Sequence, residues 1–343
     1  MIRFYKIAGL VLIAAFFGQT NVFSQTPVLK FKDHQFKIVQ FTDLHWIVGN
    51  TFFRNGDDST MSLMRYVILM EKPDLVVFTG DNVVSRDAAV AWKEVTKPLA
   101  DLKVPFLVAF GNHDTETDLT KRQALAVIRS NPYNLTYDAD TTLTGTGNCA
   151  LPIMDETGQT DKWVIYMFDS NAYSPDSLVK GYDWIHNDQI QWYRKQSTQY
   201  TQMNGRPLPS LAFFHIPLPE FDPVSHLKSI VGTMGETTVH SPSINSGLFT
   251  SFLEMRDVCG VFVGHDHNND FAGVLDNICL GYGRKTGFNA PYPEILEKGA
   301  RVIQLYENDK KFNTFIRTRS GRYLDFTFDQ SAVTRPPVDA VSQ

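Results

Sequence analysis

Five short apolar runs in this chain each end in side chains able to bind a metal ion, and that repetition restricts the fold more than any other feature. "KIVQFT" runs into Asp43-Leu44-His45, "LVVFTG" into Asp81-Asn82, and "LVAFG" into Asn112-His113-Asp114. "LAFF" is followed closely by His215, and "VFVG" by His265-Asp266-His267. A single polar residue after an apolar run is ordinary. Five drawn from Asp, Asn and His are not, because imidazole and carboxylate ligands together suit Zn, Fe or Mn. In an open α/β sheet, ligands bind outside the carboxyl ends of the strands, so the pattern calls for strands that deliver their last residues to one edge.

The segments between these runs fit that demand. "FKIVQF" (36–41), "DLVVFT" (74–79) and "VPFLVAF" (104–110) read as strands, with helices expected over 59–72, 87–102 and 119–130. The first of these helices carries Met61, Met64, Val67 and Ile68 at helical spacing behind a Ser/Thr cap signal, and Pro73 stops it. Residues 131–162 read as loop or hairpin. "KWVIYMF", a helix near 187–200, "SLAFFHI", a helix near 246–257 and "GVFVG" continue the alternation, which is the mark of α/β architecture. Four further strand-like runs over 277–328 predict a β-rich cap on the same domain. A hydrophobic fraction of 43% over 343 residues supports a large core. Asp169, after "WVIYMF", reads as a strand-end turn or helix-cap carboxylate. His34, His186 and His226 read as surface or packing histidines, and so does His240, although its long loop (231–245) reaches toward the site.

Residues 1–24 carry Arg3 and Lys6, then "IAGLVLIAAFF", then a small-residue exit. This predicts a signal peptide cleaved between Ser24 and Gln25, with an uncleaved anchor as the alternative. The run is shorter than the roughly 20 apolar residues that a membrane-spanning helix needs. The expected product is periplasmic or secreted, with no stable membrane anchor. Cleavage takes the net charge from −5 to −7, which argues against a nucleic-acid partner. Three cysteines leave at least one without a partner in the chain; Cys259 and Cys279 either bridge or, like Cys149, stay as inert buried thiols. The mature domain is expected to span 25–330, followed by a mobile tail over 331–343.

Taken in order, "FTDLH", "FTGDN", "FGNHD", "FFHIP" and "FVGHDH" resemble the calcineurin-like metallophosphoesterase superfamily across about residues 36–320. "FFHIPLPEF", "SINSGLF" and "VFVGHDHNNDF" look most like its purple-acid-phosphatase-related branch. Val84 stands where the purple enzymes carry tyrosine, and His45 stands where they generally lack a histidine ligand, so a colourless site is implied. The resemblance implies a four-layer αββα sandwich of two mixed β-sheets flanked by helices, holding two metal ions (Fe, Mn or Zn). Asp43, His45, Asp81 and His267 would hold one ion. Asp81 would bridge to the other, held also by Asn112, His215 and His265. Side chains two apart on an extended segment share a side, so His265 and His267 would reach adjacent ions while Asp266 turns away. His113 is implied as the catalytic residue beside the metals, contacting the phosphate with Asn112, and Asp114 as its orienting partner. Asn268 and Asp270 would support the ligands from behind.

Substrate selection is assigned to loops. Trp46, Phe52, Phe53 and Arg54 follow the first motif, and Arg284 and Lys285 form a second candidate rim. The implied reaction is attack of a metal-bridged hydroxide on a small phosphate monoester. A phosphodiesterase of the same superfamily is the alternative, and a non-catalytic binding module is the alternative from another class. A Rossmann-type nucleotide site is excluded, since no strand leads into G-x-G-x-x-G. The oligomeric state is left open.

Overall fold

The apolar runs are continuous rather than alternating because the strands they form are covered on both faces. The computed structural model describes residues 27–49, 55–289 and 293–330. The first half of the chain forms β1 (Gln35–Phe41), α1 (Gly56–Glu71), β2 (Leu75–Thr79), α2 (Ala88–Leu102), β3 (Phe106–Ala109) and α3 (Lys121–Ile128). There follow β4 (Cys149–Met154), β5 (Asp161–Met167), α4 (Asn187–Asn204), β6 (Ser210–Phe213), α5 (Phe221–Ser225), α6 (Leu248–Met255) and β7 (Val258–Val263). The last elements are β8 (Ala272–Leu275), β9 (Ile278–Tyr282), β10 (Gly299–Tyr306), β11 (Lys311–Thr318) and β12 (Arg322–Asp329).

Two six-stranded mixed sheets result, ordered β12-β11-β10-β1-β2-β3 and β4-β5-β6-β7-β9-β8. Within them β1, β2 and β3 run parallel, as do β5, β6, β7 and β9. The period of two along each strand separates three apolar layers. Val39, Val76 and Phe78 face α1 and α2, where they meet Met64, Val67 and Trp92. Ile38, Leu75 and Val77 face the other sheet, against Ile165, Leu211 and Phe262. Tyr166, Ala212 and Val261 face outward onto Ile190 and Tyr193 of α4 and Phe252 of α6. The expected αββα sandwich is therefore built.

Two local readings change. Helix α1 begins at Gly56, ahead of the Ser/Thr signal, and the Thr60 hydroxyl donates back to the Gly56 carbonyl at 2.8 Å from inside the helix. The C-terminal strands are not a cap. β10 pairs antiparallel with β1 and places Ile303 and Leu305 in the middle layer, while β8 and β9 close the other sheet. The 131–162 region does contain a hairpin, β4 with β5. Asp169 is a turn carboxylate, accepting from the backbone N–H groups of Thr146 and Asn171 and pairing with Lys121 at 2.7 Å. The signal segment 1–24 and the tail 331–343 lie outside the described residues. Among the described residues no helix is long and apolar enough to cross a membrane.

Cys149, Cys259 and Cys279 are all free and buried, and burial pushes each thiol up to about 12. A disulfide-exchange reagent needs the thiolate, so the native protein should react with none at neutral pH and with all three after denaturation. Rapid titration of any thiol in the folded protein would contradict this arrangement.

Candidate metal centre

The strand ends converge at the edge where the two sheets meet. Asp43 and His45 come from the end of β1, Asp81 from β2, Asn112 from β3, His215 from β6, and His265 and His267 from β7. Their ligand atoms form two groups, Asp43 with His45 and His267, and Asp81 with His215 and His265. His45 Nε2 lies 3.1 Å from His267 Nε2, and His265 Nδ1 lies 3.3 Å from His215 Nε2. Asp81 Oδ2 lies between the groups, 3.1 Å from His215 Nε2 and 3.9 Å from His45 Nε2. That is the place a bridging carboxylate must take.

Whether these residues fit a pair of cations can be judged from their polar atoms. Asn112 Oδ1 is a buried acceptor with no hydrogen-bond partner among the described residues. Buried ring nitrogens facing each other at such distances repel unless a proton or a cation lies between them. Asp81 and Asp43 are buried carboxylates, which are costly without positive charge nearby. The set of N and O donors suits Fe, Mn or Zn. The residues present therefore fit a dinuclear centre.

Backbone strain concentrates here. Asp43, His45, Asp81 and His265 all have left-handed φ, at 53°, 49°, 50° and 80°, a region that side-chain-bearing residues rarely adopt. His265 is not in an extended segment. It is the centre of a γ-turn in which Asp266 N donates to the Gly264 carbonyl at 3.0 Å. This turn directs His265 and His267 to the two groups, while Asp266 accepts from Tyr282 at 2.6 Å and pairs with His240 at 2.5 Å. The two imidazoles therefore part through a turn and not through the alternation of an extended segment. Gly111 has no room for a side chain, because a Cβ there would overlap the Asp81 carboxylate and backbone nitrogen.

His113 opens a short 3-10 turn, with its backbone N–H donating to Asp81 Oδ1 at 2.9 Å and its ring 5.5 Å from that of His45. Burial pulls its pKa down, but the Asp81 charge and a 2.8 Å hydrogen bond with Glu116 outweigh that and raise it. Asp114 does not orient His113. Its carboxylate is buried under the strand ends and accepts from the backbone N–H groups of Gly111, Asn82 and Val83 at 2.8, 3.0 and 2.8 Å. Burial, followed by the Asp81 charge, pushes Asp114 up to about 7. Glu116 is the ring's partner, and its position three residues on, in the same turn, was the available signal.

Several loop expectations are overturned. Trp46 does not face substrate; it bridges to Val83, packs in the layer under α1 and α2, and donates to Glu94 at 2.9 Å. Arg284 is buried against Asp270, and Lys285 is buried beneath the ligands, donating to the Asp43 carbonyl at 3.1 Å. Neither is a rim residue. Asn268 accepts from Ile295 N at 2.8 Å and shapes the loop behind His267. Phe52, Phe53 and Arg54 lie outside the described residues. Glu294, not anticipated from the sequence, holds His267 Nδ1 at 3.1 Å. A cavity of about 260 Å³ opens over the cluster, with His113, His240, Tyr182 and Glu236 among its walls.

A sandwich of two mixed sheets with a two-group ligand cluster at their shared edge is the architecture of metal-dependent phosphoesterases. The calcineurin-like phosphoesterase model matches residues 36–269, and the chain belongs to that family. It is 36% identical over 305 residues to "Probable inactive purple acid phosphatase 29" of Arabidopsis thaliana, covering 81% of this chain and 78% of that one. It is 30% identical over 325 residues to "Phosphatase DCR2" of Saccharomyces cerevisiae, covering 86% and 55%. The solved structure of a dimetal phosphatase from Danio rerio superposes with a TM-score of 0.56 at 14% identity, covering 86% of this chain and 99% of the other. Purple acid phosphatase PPD1 from yellow lupin gives 0.54 at 14%, covering 93% and 58%. At such identity these two likenesses are of fold.

Replacing Gly111 by Ala should displace Asp81 and weaken metal binding by about 10–100-fold, as changes behind a ligand commonly do. Calorimetric titration of the metal-stripped protein with Mn or Zn would read this directly. Unchanged affinity would show that Asp81 tolerates a Cβ beside it and is not held as described.

Proposed function

We propose that the protein is an exported phosphomonoesterase acting on a small phosphorylated substrate. The observation that carries this reading is the convergence of the Asp43 and Asp81 groups on one cavity with His113 at its wall. When bound, a pair of metal ions supplies Lewis acidity and acidifies a water enough for attack near neutral pH. Asp81 would bridge the pair, and Asn112 would offer its free carbonyl oxygen to one side of it. His113, held by Glu116, would present a proton donor to the charge developing on the phosphoryl oxygens or on the leaving oxygen. The word "inactive" in the plant relative's name belongs to that protein. In this chain every expected ligand position is filled, and that favours turnover over a retained, non-catalytic fold. The acidic balance of the chain favours a small substrate over nucleic acid.

The decisive assay compares a phosphomonoester with a phosphodiester on protein loaded in turn with Mn, Zn and Fe. Monoester hydrolysis should exceed diester hydrolysis; the reverse order would make the chain a phosphodiesterase, and no hydrolysis of either would remove the enzymatic reading. His113→Ala should keep two metals per chain and lose about 10²–10⁴-fold in turnover. Loss of metal instead would assign His113 to ligation.

Export rests on residues 1–24. Expressed in a cell with a general secretory pathway, the mature protein should begin at Gln25 by intact-mass measurement. An unprocessed mass would leave the segment as an anchor.

A further inference from the structure

Two tyrosines stand beside the Asp81 group on the loop between β5 and α4, and none of the roles given so far uses them. Tyr182 meets His265 edge-on, with ring centroids 4.5 Å apart. Tyr173 stacks on Tyr182 at 5.7 Å with 23° between the planes, and the two residues pair as an isolated bridge. The Tyr173 hydroxyl accepts from Asn112 Nδ2 at 3.2 Å and also meets Glu116. The phenol end is thus fixed at the metal cluster while the ring extends away from it. Tyr173 keeps 50% of its surface exposed. It also lines a second groove of about 440 Å³ that continues past Thr115 and Pro175.

We propose that Tyr173 determines specificity, as the platform on which a planar aromatic group of the substrate stacks. This rests on the phosphoesterase reading and names its substrate class. With the phosphoryl group at the cluster, a ring carried one short spacer beyond the ester oxygen would come against the Tyr173 ring, whose hydroxyl end is tied to Asn112 and whose ring lines the groove. Glu116 stands at the Tyr173 hydroxyl and Asp183 lines the groove, so a leaving group with additional negative charge is disfavoured. Of the two cations in the groove, Lys121 is paired with Asp169 at 2.7 Å and Arg122 is engaged by the Thr141 carbonyl. The recognised group is therefore flat and uncharged, as a nucleobase carried on a sugar phosphate is. Stacking of a base on one aromatic side chain corresponds to about tenfold in affinity or more.

Adenosine 5′-monophosphate and ribose 5-phosphate isolate this contact, because they share phosphate and sugar and differ by the base. The wild-type protein should show kcat/KM for the nucleotide about tenfold above that for the sugar phosphate, and a matching ratio of dissociation constants. Tyr173→Ala should bring both ratios toward one with two metals still bound. Tyr173→Phe should preserve them, since it keeps the ring and drops only the hydroxyl. Equal handling of the two ligands by the wild type, or a ratio untouched in Tyr173→Ala, would overturn the platform. Hydrolysis of neither ligand, with the binding ratio intact and dependent on Tyr173, would support the platform and count against the phosphoesterase reading alone.

Discussion

The carboxylate of Asp81 is the point on which the site depends. One oxygen accepts the His113 backbone N–H; the other lies between His215 and His45. A carboxylate buried at this depth needs positive charge around it, and the surrounding chain is arranged to provide room for that charge. His215 is pulled up to about 9 despite its burial, chiefly by Asp81. That is the response of an imidazole asked to supply the charge itself. Gly111 gives up its side chain to let Asp81 approach, and the buried Asp114 carboxylate straps the loop after β2 to the loop after β3. The left-handed ligands complete the arrangement, with strain kept where function requires a fixed direction.

The two ligand groups are not equivalent. His267 is backed by Glu294, itself engaged by Lys285 at 3.3 Å and by Lys298. His215 is backed by the Thr79 carbonyl at 2.8 Å, and His265 Nε2 has no hydrogen-bond partner among the described residues. Partners of this kind fix the tautomer and orientation of an imidazole, so the His267 ring is held by a charged group and the His215 ring by a neutral one.

The candidate ligand set stood out in the sequence because metal chemistry limits the residue types and the sheet limits where they can stand. All seven expected ligands, Asn112 with its free carbonyl oxygen included, lie at strand ends around this edge. What escaped was set by long-range packing. Trp46 follows a ligand and looks available, yet the chain beyond β1 continues beside Val83 and carries the indole into the layer under the helices. Lys285 looks like a surface cation until Thr286 N bonds to the Thr42 carbonyl and brings that segment beneath β1. Glu294 and Tyr173 lie far along the chain from His267 and Asn112, the site residues they touch, and no local spacing announces them. The C-terminal strands announced their type but not their partners, since pairing with β1 depends on which face Ile303 and Leu305 bury.

Each ligand group draws on both sheets: Asp43 and His45 with His267, and Asp81 with His215 and His265. An ion held in either place is therefore a cross-link between the two halves of the sandwich, at the edge where the middle apolar layer ends. Parting the sheets at this edge would mean breaking bonds to that ion. A loaded centre would then clip the two sheets together from outside, at a border beyond the apolar side chains of the middle layer.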